Sequence, residues 1–274
     1  MIHKALFLFL CAVLSGSICH AQSNTTKPFV LGIVHELNST VLSEKRILNI
    51  YLPEGYNKDS ATTYPVIYLL DGSADEDFIH IAGLCQFLTM IGTLPKSIVV
   101  GIGNVDRRRD FTFPTRNKKD LQISPTSGGS EKFMLFLEKE LEPYVEQHFK
   151  TNASKTIIGQ SLGGLLAIQV LLKKPALFTD YIIVSPSLWW DDESLLPDMS
   201  AKLKPASVQG AHVFIAWGNE GPEMQKDVET FMTAAKAVEN QKFKTTAVSF
   251  PEETHATILH RAVYKGLEVL NAKH

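Results

Sequence analysis

Short apolar runs alternate with helical patterns along nearly the whole chain, and this alternation constrains the fold more than any other feature. The runs Val66–Leu70, Ser97–Ile102, Thr156–Gly159, Tyr181–Val184, His212–Ala216 and Thr245–Phe250 lack strict polar alternation. That is the pattern of strands covered on both faces. Helical periodicity is predicted over Phe78–Leu88, Glu131–Phe149, Leu162–Leu172, Lys226–Glu239 and His255–Leu270, with Pro143 kinking the second of these. Two earlier runs, Phe29–Leu37 and Arg46–Leu52, are joined by the turn-prone Asn38-Ser39-Thr40 and read as adjacent strands. The class expected is α/β: a mostly parallel central sheet with helices on both faces and an N-terminal antiparallel strand pair.

One strand-to-helix junction carries chemistry. Gly159-Gln160-Ser161-Leu162-Gly163 follows the apolar Thr156-Ile157-Ile158 and opens the pattern that stops near Pro175. Strand, sharp glycine-flanked turn and helix form the context of a nucleophile elbow. Such a turn holds Ser161 in a cramped conformation, and its neighbours must be small for the chain to pass. The serine hydroxyl then projects at a helix N-terminus, whose free N–H groups can stabilise a developing oxyanion.

A length of 274 residues suits one large α/β domain, and 45% apolar with 20% charged residues is ordinary for a globular core. The formal charge of −2 and the isolated Arg107-Arg108-Arg109 cluster give no nucleic-acid surface. The N-terminus reads as a leader: Lys4, the apolar stretch Ala5–Leu14, then small residues around Cys19-His20-Ala21. Its apolar run is too short to span a bilayer stably, and Gly16-Ser17-Ile18 before Cys19 is not a lipobox. The expected division is therefore a signal peptide at 1–21 and a single domain at 22–274, periplasmic or secreted, with no stable membrane insertion after cleavage. Loss of Cys11 and Cys19 would leave Cys85 as the sole thiol, so no internal disulfide is expected.

A serine nucleophile needs a base, and the base needs an orienting acid; in a doubly wound sheet the chain order is serine, acid, histidine. His255, in the loop Pro251–His255 beyond the last strand, is preferred to His260, which falls inside the last helical pattern. Glu220 is the first carboxylate after the His212 strand, ahead of Glu223 and Asp227. The oxyanion donors expected are the N–H of Leu162 and that of Ser73, in the loop Leu69–Ser73 after the third strand, where Asp71 either braces the turn before Gly72 or contacts substrate. Arg107 and Arg109 either hold an acidic or phenolate part of a substrate or pair with Asp106 or Asp110. Trp189 and Trp190 either line an acyl or aromatic pocket or belong to the core. The stretch Thr112–Ser130 is the least ordered, either a lid or substrate wall or a solvated loop. Asp75-Glu76-Asp77 lacks metal-ligand spacing, and neither metal nor cofactor is expected.

Several blocks taken together resemble the esterase D and enterochelin-esterase-like family of α/β-hydrolases. They are Asn49–Pro53 with Gly55-Tyr56, Tyr64–Gly72, Val100–Asn104 with Arg107–Asp110, the Gly159 elbow, Ser185–Trp190, and Thr254-His255 ahead of Lys265–Leu267. The run Asp110-Phe-Thr-Phe-Pro114 departs from the family pattern by one extra residue. The resemblance implies an α/β-hydrolase core and serine ester hydrolysis, with Ser161 as nucleophile, His255 as base and Leu162 and Ser73 at the oxyanion. It also implies a small-molecule ester as partner, trilactone siderophores, sugar esters and thioesters being among the family's substrates. Family members differ in the third triad residue, so Glu220 is not carried over by the resemblance. An acyltransferase on the same machinery, or a non-catalytic binding protein, is the rival expectation.

Overall fold

In the computed structural model, residues 26–203, 208 and 210–272 are described. The leader expected at 1–21 lies outside the described residues. From Leu31 onward the chain forms one compact unit.

Eight strands make a single sheet: β1 Ile33–Ser39, β2 Glu44–Tyr51, β3 Tyr64–Leu69, β4 Ile98–Ile102, β5 Thr151–Gln160, β6 Asp180–Val184, β7 His212–Gly218 and β8 Lys244–Phe250. Their spatial order is β1-β2-β4-β3-β5-β6-β7-β8. The pairings β1/β2 and β2/β4 are antiparallel and all others parallel. Strand alternation sends side chains to two cores. One face packs Val66, Tyr68, Ile157, Tyr181, Ile183, Val213 and Ile215 against helices α4 (Ser130–Phe136), α5 (Glu142–His148), α6 (Leu162–Lys173) and α9 (Pro222–Val238). The other packs Ile67, Leu69, Val99, Ile158, Ile182 and Phe214 against α1 (Phe78–Met90) and α10 (Ile258–Leu270). The short helices α2 (Arg107–Phe111), α3 (Lys118–Ile123), α7 (Trp190–Glu193) and α8 (Met199–Lys202) lie in the connections.

Three departures from the sequence expectation have local causes. The helix expected over Glu131–Phe149 is broken by a π-helical turn at Leu137–Leu141, where the Glu142 N–H reaches back to the Leu137 carbonyl. Pro143 follows at once; it cannot donate, and its ring would crowd the turn behind it, so the widened turn absorbs both effects. The stretch Thr112–Ser130 is not irregular throughout, since it contains helix α3 (Lys118–Ile123), capped by Asn117 accepting from the Lys119 N–H. The last helix begins at Ile258 and not at His255, because Thr254–Thr257 closes a turn in which the Thr257 and Ile258 N–H groups both donate to the Thr254 carbonyl at 3.1 Å.

The chain reverses direction around β3, with β4 on one side and β5 on the other. The carboxyl ends of the strands beside such a reversal form a crevice, the usual ligand position in an open α/β sheet. Ser161, Ser185, Glu220 and His255 all follow the carboxyl ends of strands β5 to β8.

Candidate active site

The elbow is built by close approach. A Cβ on Gly159 would lie 2.4 Å from the Gly163 carbonyl oxygen, so no side chain fits where β5 turns into α6. Ser161 itself adopts φ 57° and ψ −119°, a conformation that costs a non-glycine residue about 1–3 kcal/mol and persists only when surroundings enforce it. They do: the Ser161 N–H donates to the Val184 carbonyl at 3.0 Å, and its carbonyl accepts from Leu165 at 2.9 Å and Ser187 at 3.0 Å. Leu162 is the first residue of α6, so its N–H has no partner within the helix.

A cleft of about 440 Å³ opens over this turn, lined by Ser161, Ser187, Trp189, Asn219, Glu220, Met224, Thr254 and His255. His255 Nδ1 is hydrogen-bonded to Glu220 Oε2. Glu220 is 4% exposed and His255 47%, so the acid is fixed in the wall while the ring faces solvent. The other Glu220 oxygen accepts from the Ser185 hydroxyl and from the Gly218 N–H at 2.9 Å. Burial pushes the Glu220 carboxyl up, but the hydrogen bonds from His255, Ser185 and Gly218 outweigh it and hold the pKa below the usual range. A carboxylate on Nδ1 places the ring proton there and leaves the Nε2 lone pair to accept one. In this structure the Ser161 hydroxyl is hydrogen-bonded to Ser187 Oγ at 3.2 Å. Gln160 braces the histidine loop, its amide donating to the His255 carbonyl.

The β3 loop is tied to the elbow through Arg107. Its guanidinium grips Asp71 with two hydrogen bonds, Nε to Oδ1 at 2.6 Å and Nη2 to Oδ2 at 2.9 Å, and Nη2 also reaches the Gln160 carbonyl at 3.2 Å. Asp71 accepts a further bond from Asn104 at 2.7 Å and sits at φ 53°. A Cβ on Gly72 would lie 2.3 Å from Gly101 Cα, which lets the loop fold down onto β4. Ser73 ends this loop, and its hydroxyl accepts from the Asn104 N–H at 3.3 Å.

The structure gives partners inside the protein to four candidate substrate contacts, and for Arg109 and Trp190 these are the structural alternatives the sequence left open. Asp71 is buried and engaged with Arg107 and Asn104, and Arg107 is paired with Asp71 and not with Asp106 or Asp110. Arg109 donates to Asp110 and Glu44 at 2.7 Å each, in a cluster with the fully buried Arg46. Trp190 is 0% exposed and donates its indole N–H to the Phe113 carbonyl at 2.9 Å, so it belongs to the core. Trp189, half-buried, does line the cleft. Sequence reasoning passed over Ser185 and Ser187. Their signal was the small, turn-forming Ser185-Pro186-Ser187 after a buried strand, with Ser185 at φ 43°. Among the described residues no three His, Cys, Asp or Glu side chains gather where they could hold a metal ion. Cys85 is buried in α1, and burial pushes its thiol up to about 12.

A strained serine on a strand-to-helix turn, sharing a cleft with a histidine held by a buried acid, is the geometry of a serine hydrolase on an α/β fold. Residues 39–261 match the family model described as "Putative esterase", and the chain belongs to that family. It is 30% identical over 248 residues to the ferri-bacillibactin esterase BesA of Bacillus subtilis (strain 168), covering 82% of this chain and 85% of that one. An IroE-like serine hydrolase from Shewanella oneidensis superposes with a TM-score of 0.75 at 32% identity, covering 88% of this chain and 80% of its own. The BES protein from Bacillus cereus superposes at 0.79 with 25% identity, covering 91% and 99%. No helix among the described residues is long and apolar enough to cross a membrane.

Proposed function

We propose that this esterase is exported and cleaves siderophore esters through an acyl-enzyme on Ser161. The observation that carries the mechanism is the Glu220–His255 pair opening onto the same cleft as the strained serine. Ser161 Oγ attacks the ester carbonyl carbon as its proton passes to His255 Nε2, while Glu220 holds the Nδ1 proton and stabilises the imidazolium. The tetrahedral oxyanion rests on the N–H groups of Leu162 and Ser73. Collapse breaks the ester C–O bond, and His255 returns the proton to the leaving alkoxide. Water then attacks the acyl carbon with His255 again as base, releasing the acid and restoring Ser161.

The substrate class is supported by the relative named for ferri-bacillibactin, which matches over most of both chains. Export is supported by the leader pattern at 1–21. The test is hydrolysis of a nitrophenyl ester series and of a trilactone siderophore by the protein and by Ser161→Ala. Loss of both activities in the variant is expected. Turnover of nitrophenyl esters with the lactone left intact would remove the siderophore assignment and leave the esterase. Export predicts that the protein recovered from its source starts at Gln22; a retained Met1 would contradict it.

A further inference from the structure

The loop after β6 reaches two members of the catalytic relay at once. Ser185 donates its hydroxyl to Glu220, and two residues later Ser187 stands beside the nucleophile, Oγ to Oγ at 3.2 Å. The loop is tied down at each step. The Ser185 N–H donates to the Ala216 carbonyl at 2.7 Å and the Ser187 N–H to the Ser161 carbonyl at 3.0 Å, while the Ser187 carbonyl accepts from the Trp190 N–H at 3.2 Å. Gly164 of α6 packs against its centre, where a Cβ would come within 3.0 Å of Pro186 Cα. Ser187 is thus fixed on the elbow, and it is only 1% exposed although it lines the cleft.

The direction of the Ser187–Ser161 bond follows from where two protons can go. A buried hydroxyl has one proton to place, and leaving it without an acceptor is costly. Among the described residues Ser161 Oγ is the only hydrogen-bond partner of the Ser187 hydroxyl. If Ser161 donated to Ser187, the Ser187 proton would have no acceptor there. The Nε2 lone pair of His255, left open by the Glu220 bond to Nδ1, would also have no proton to take. If Ser187 donates, both hydroxyls are served: Ser161 keeps its proton for His255 while its oxygen accepts from Ser187.

We propose that Ser187 is a further catalytic residue, whose hydroxyl donates a hydrogen bond to Ser161 Oγ and stabilises the negative charge that gathers there. The role rests on the reading of Ser161 as the esterase nucleophile. In acylation the Ser161 proton passes to His255 as Oγ bonds to the carbonyl carbon, and Ser187 keeps its own proton. In deacylation water attacks the acyl carbon and gives a proton to His255. The C–Oγ bond then breaks, and Oγ regains a proton from His255 with Ser187 again donating to it. The ester oxygen of the acyl-enzyme is a weaker acceptor than an oxygen carrying charge. The bond is therefore stronger in both transition states than in the intermediate between them, which is the condition for accelerating both steps. The Leu162 and Ser73 donors act elsewhere, on the carbonyl oxygen of the substrate.

The test is rapid-mixing hydrolysis of nitrophenyl acetate by Ser187→Ala and Ser187→Cys beside the parent protein, the burst reading acylation and the steady phase deacylation. Ser187→Ala should slow both phases by about tenfold to a hundredfold with KM little changed, the loss expected when a charged oxygen forfeits one donor. Ser187→Cys refills the volume with a poor donor and should stay within a few-fold of Ser187→Ala. Parental rates in Ser187→Cys would mean that the side chain only fills space, and would overturn the role. Unchanged or raised rates in Ser187→Ala overturn it too, a rise meaning that Ser161 had been donating to Ser187. Ester turnover that persists in Ser161→Ala removes the nucleophile and this role together, whereas Ser161-dependent turnover indifferent to Ser187→Ala defeats the role alone.

Discussion

Replacing Glu220 by glutamine keeps the volume and removes the charge, and the surroundings dictate how the amide must sit. One carboxylate oxygen accepts from the fixed Gly218 N–H at 2.9 Å and from Ser185, while the other accepts from His255 Nδ1. A glutamine has a single acceptor oxygen, and the backbone donor cannot move. The amide oxygen therefore faces Gly218, and its NH₂ faces His255. That forces Nδ1 to accept and puts the ring proton on Nε2, the tautomer that cannot take a proton from Ser161. Loss of the correct tautomer in a triad of this kind lowers kcat by about 10³–10⁴-fold, roughly 4–5.5 kcal/mol of activation free energy. KM should change little, because Glu220 is buried beneath the histidine. The assay is steady-state hydrolysis of a nitrophenyl ester by Glu220→Gln beside the parent, with thermal unfolding to show that the variant is folded. A folded variant retaining more than a tenth of parental kcat would refute the assignment of Glu220 as the orienting acid.

Other consequences follow from the same geometry. Ser185→Ala removes one donor to Glu220 and should lower kcat roughly tenfold at constant KM; an unchanged kcat would mean that the hydroxyl is incidental. Gly159→Ala drives a methyl into the Gly163 carbonyl, only 2.4 Å away. It should cost about 2–3 kcal/mol and lower Tm by roughly 4–10 °C, and a parental Tm would refute the close approach. Asp227 has its pKa raised from 3.8 to about 6, so between those values the unfolded chain has released a proton that the folded one still holds. Stability is therefore lost as pH rises through that window and stays low above it. Asp227→Asn should stabilise the protein at pH 7.5 by about 1–2 kcal/mol after allowance for solvent screening, with the gain fading toward pH 4. A gain independent of pH would contradict the charge argument.

Sequence made the centre of the sheet legible because buried strands such as β4 and β6 announce themselves as short apolar, β-branched runs. At the edges β1 and β8 alternate exposed and buried residues, so β8 is covered on one face and not, as its run suggested, on both. The elbow was legible for a similar reason: the demands of one tight turn are local, and Gly159 and Ser161 meet them within five residues. What escaped depends on contacts between distant segments. Arg107 lies beside Asp106 and Asp110, yet its partner is Asp71, brought to it only when β3 and β4 pair. Helix α3 is six residues long, and Asp120 is anchored by Asp191 across the chain, so it carried too little periodicity to be read. Trp189 and Trp190 are adjacent and chemically identical; Trp190 goes to the core, where its indole N–H meets the Phe113 carbonyl of a segment distant in sequence, and Trp189 is left at the cleft.

An acyl-enzyme on Ser161 is tested by treating the protein and Ser161→Ala with a fluorophosphonate and measuring intact and peptide masses. One phosphonyl group per chain is expected, on the peptide containing Ser161, with parallel loss of ester turnover and no labelling of the variant. Labelling elsewhere, or ester hydrolysis that survives in Ser161→Ala, would contradict it.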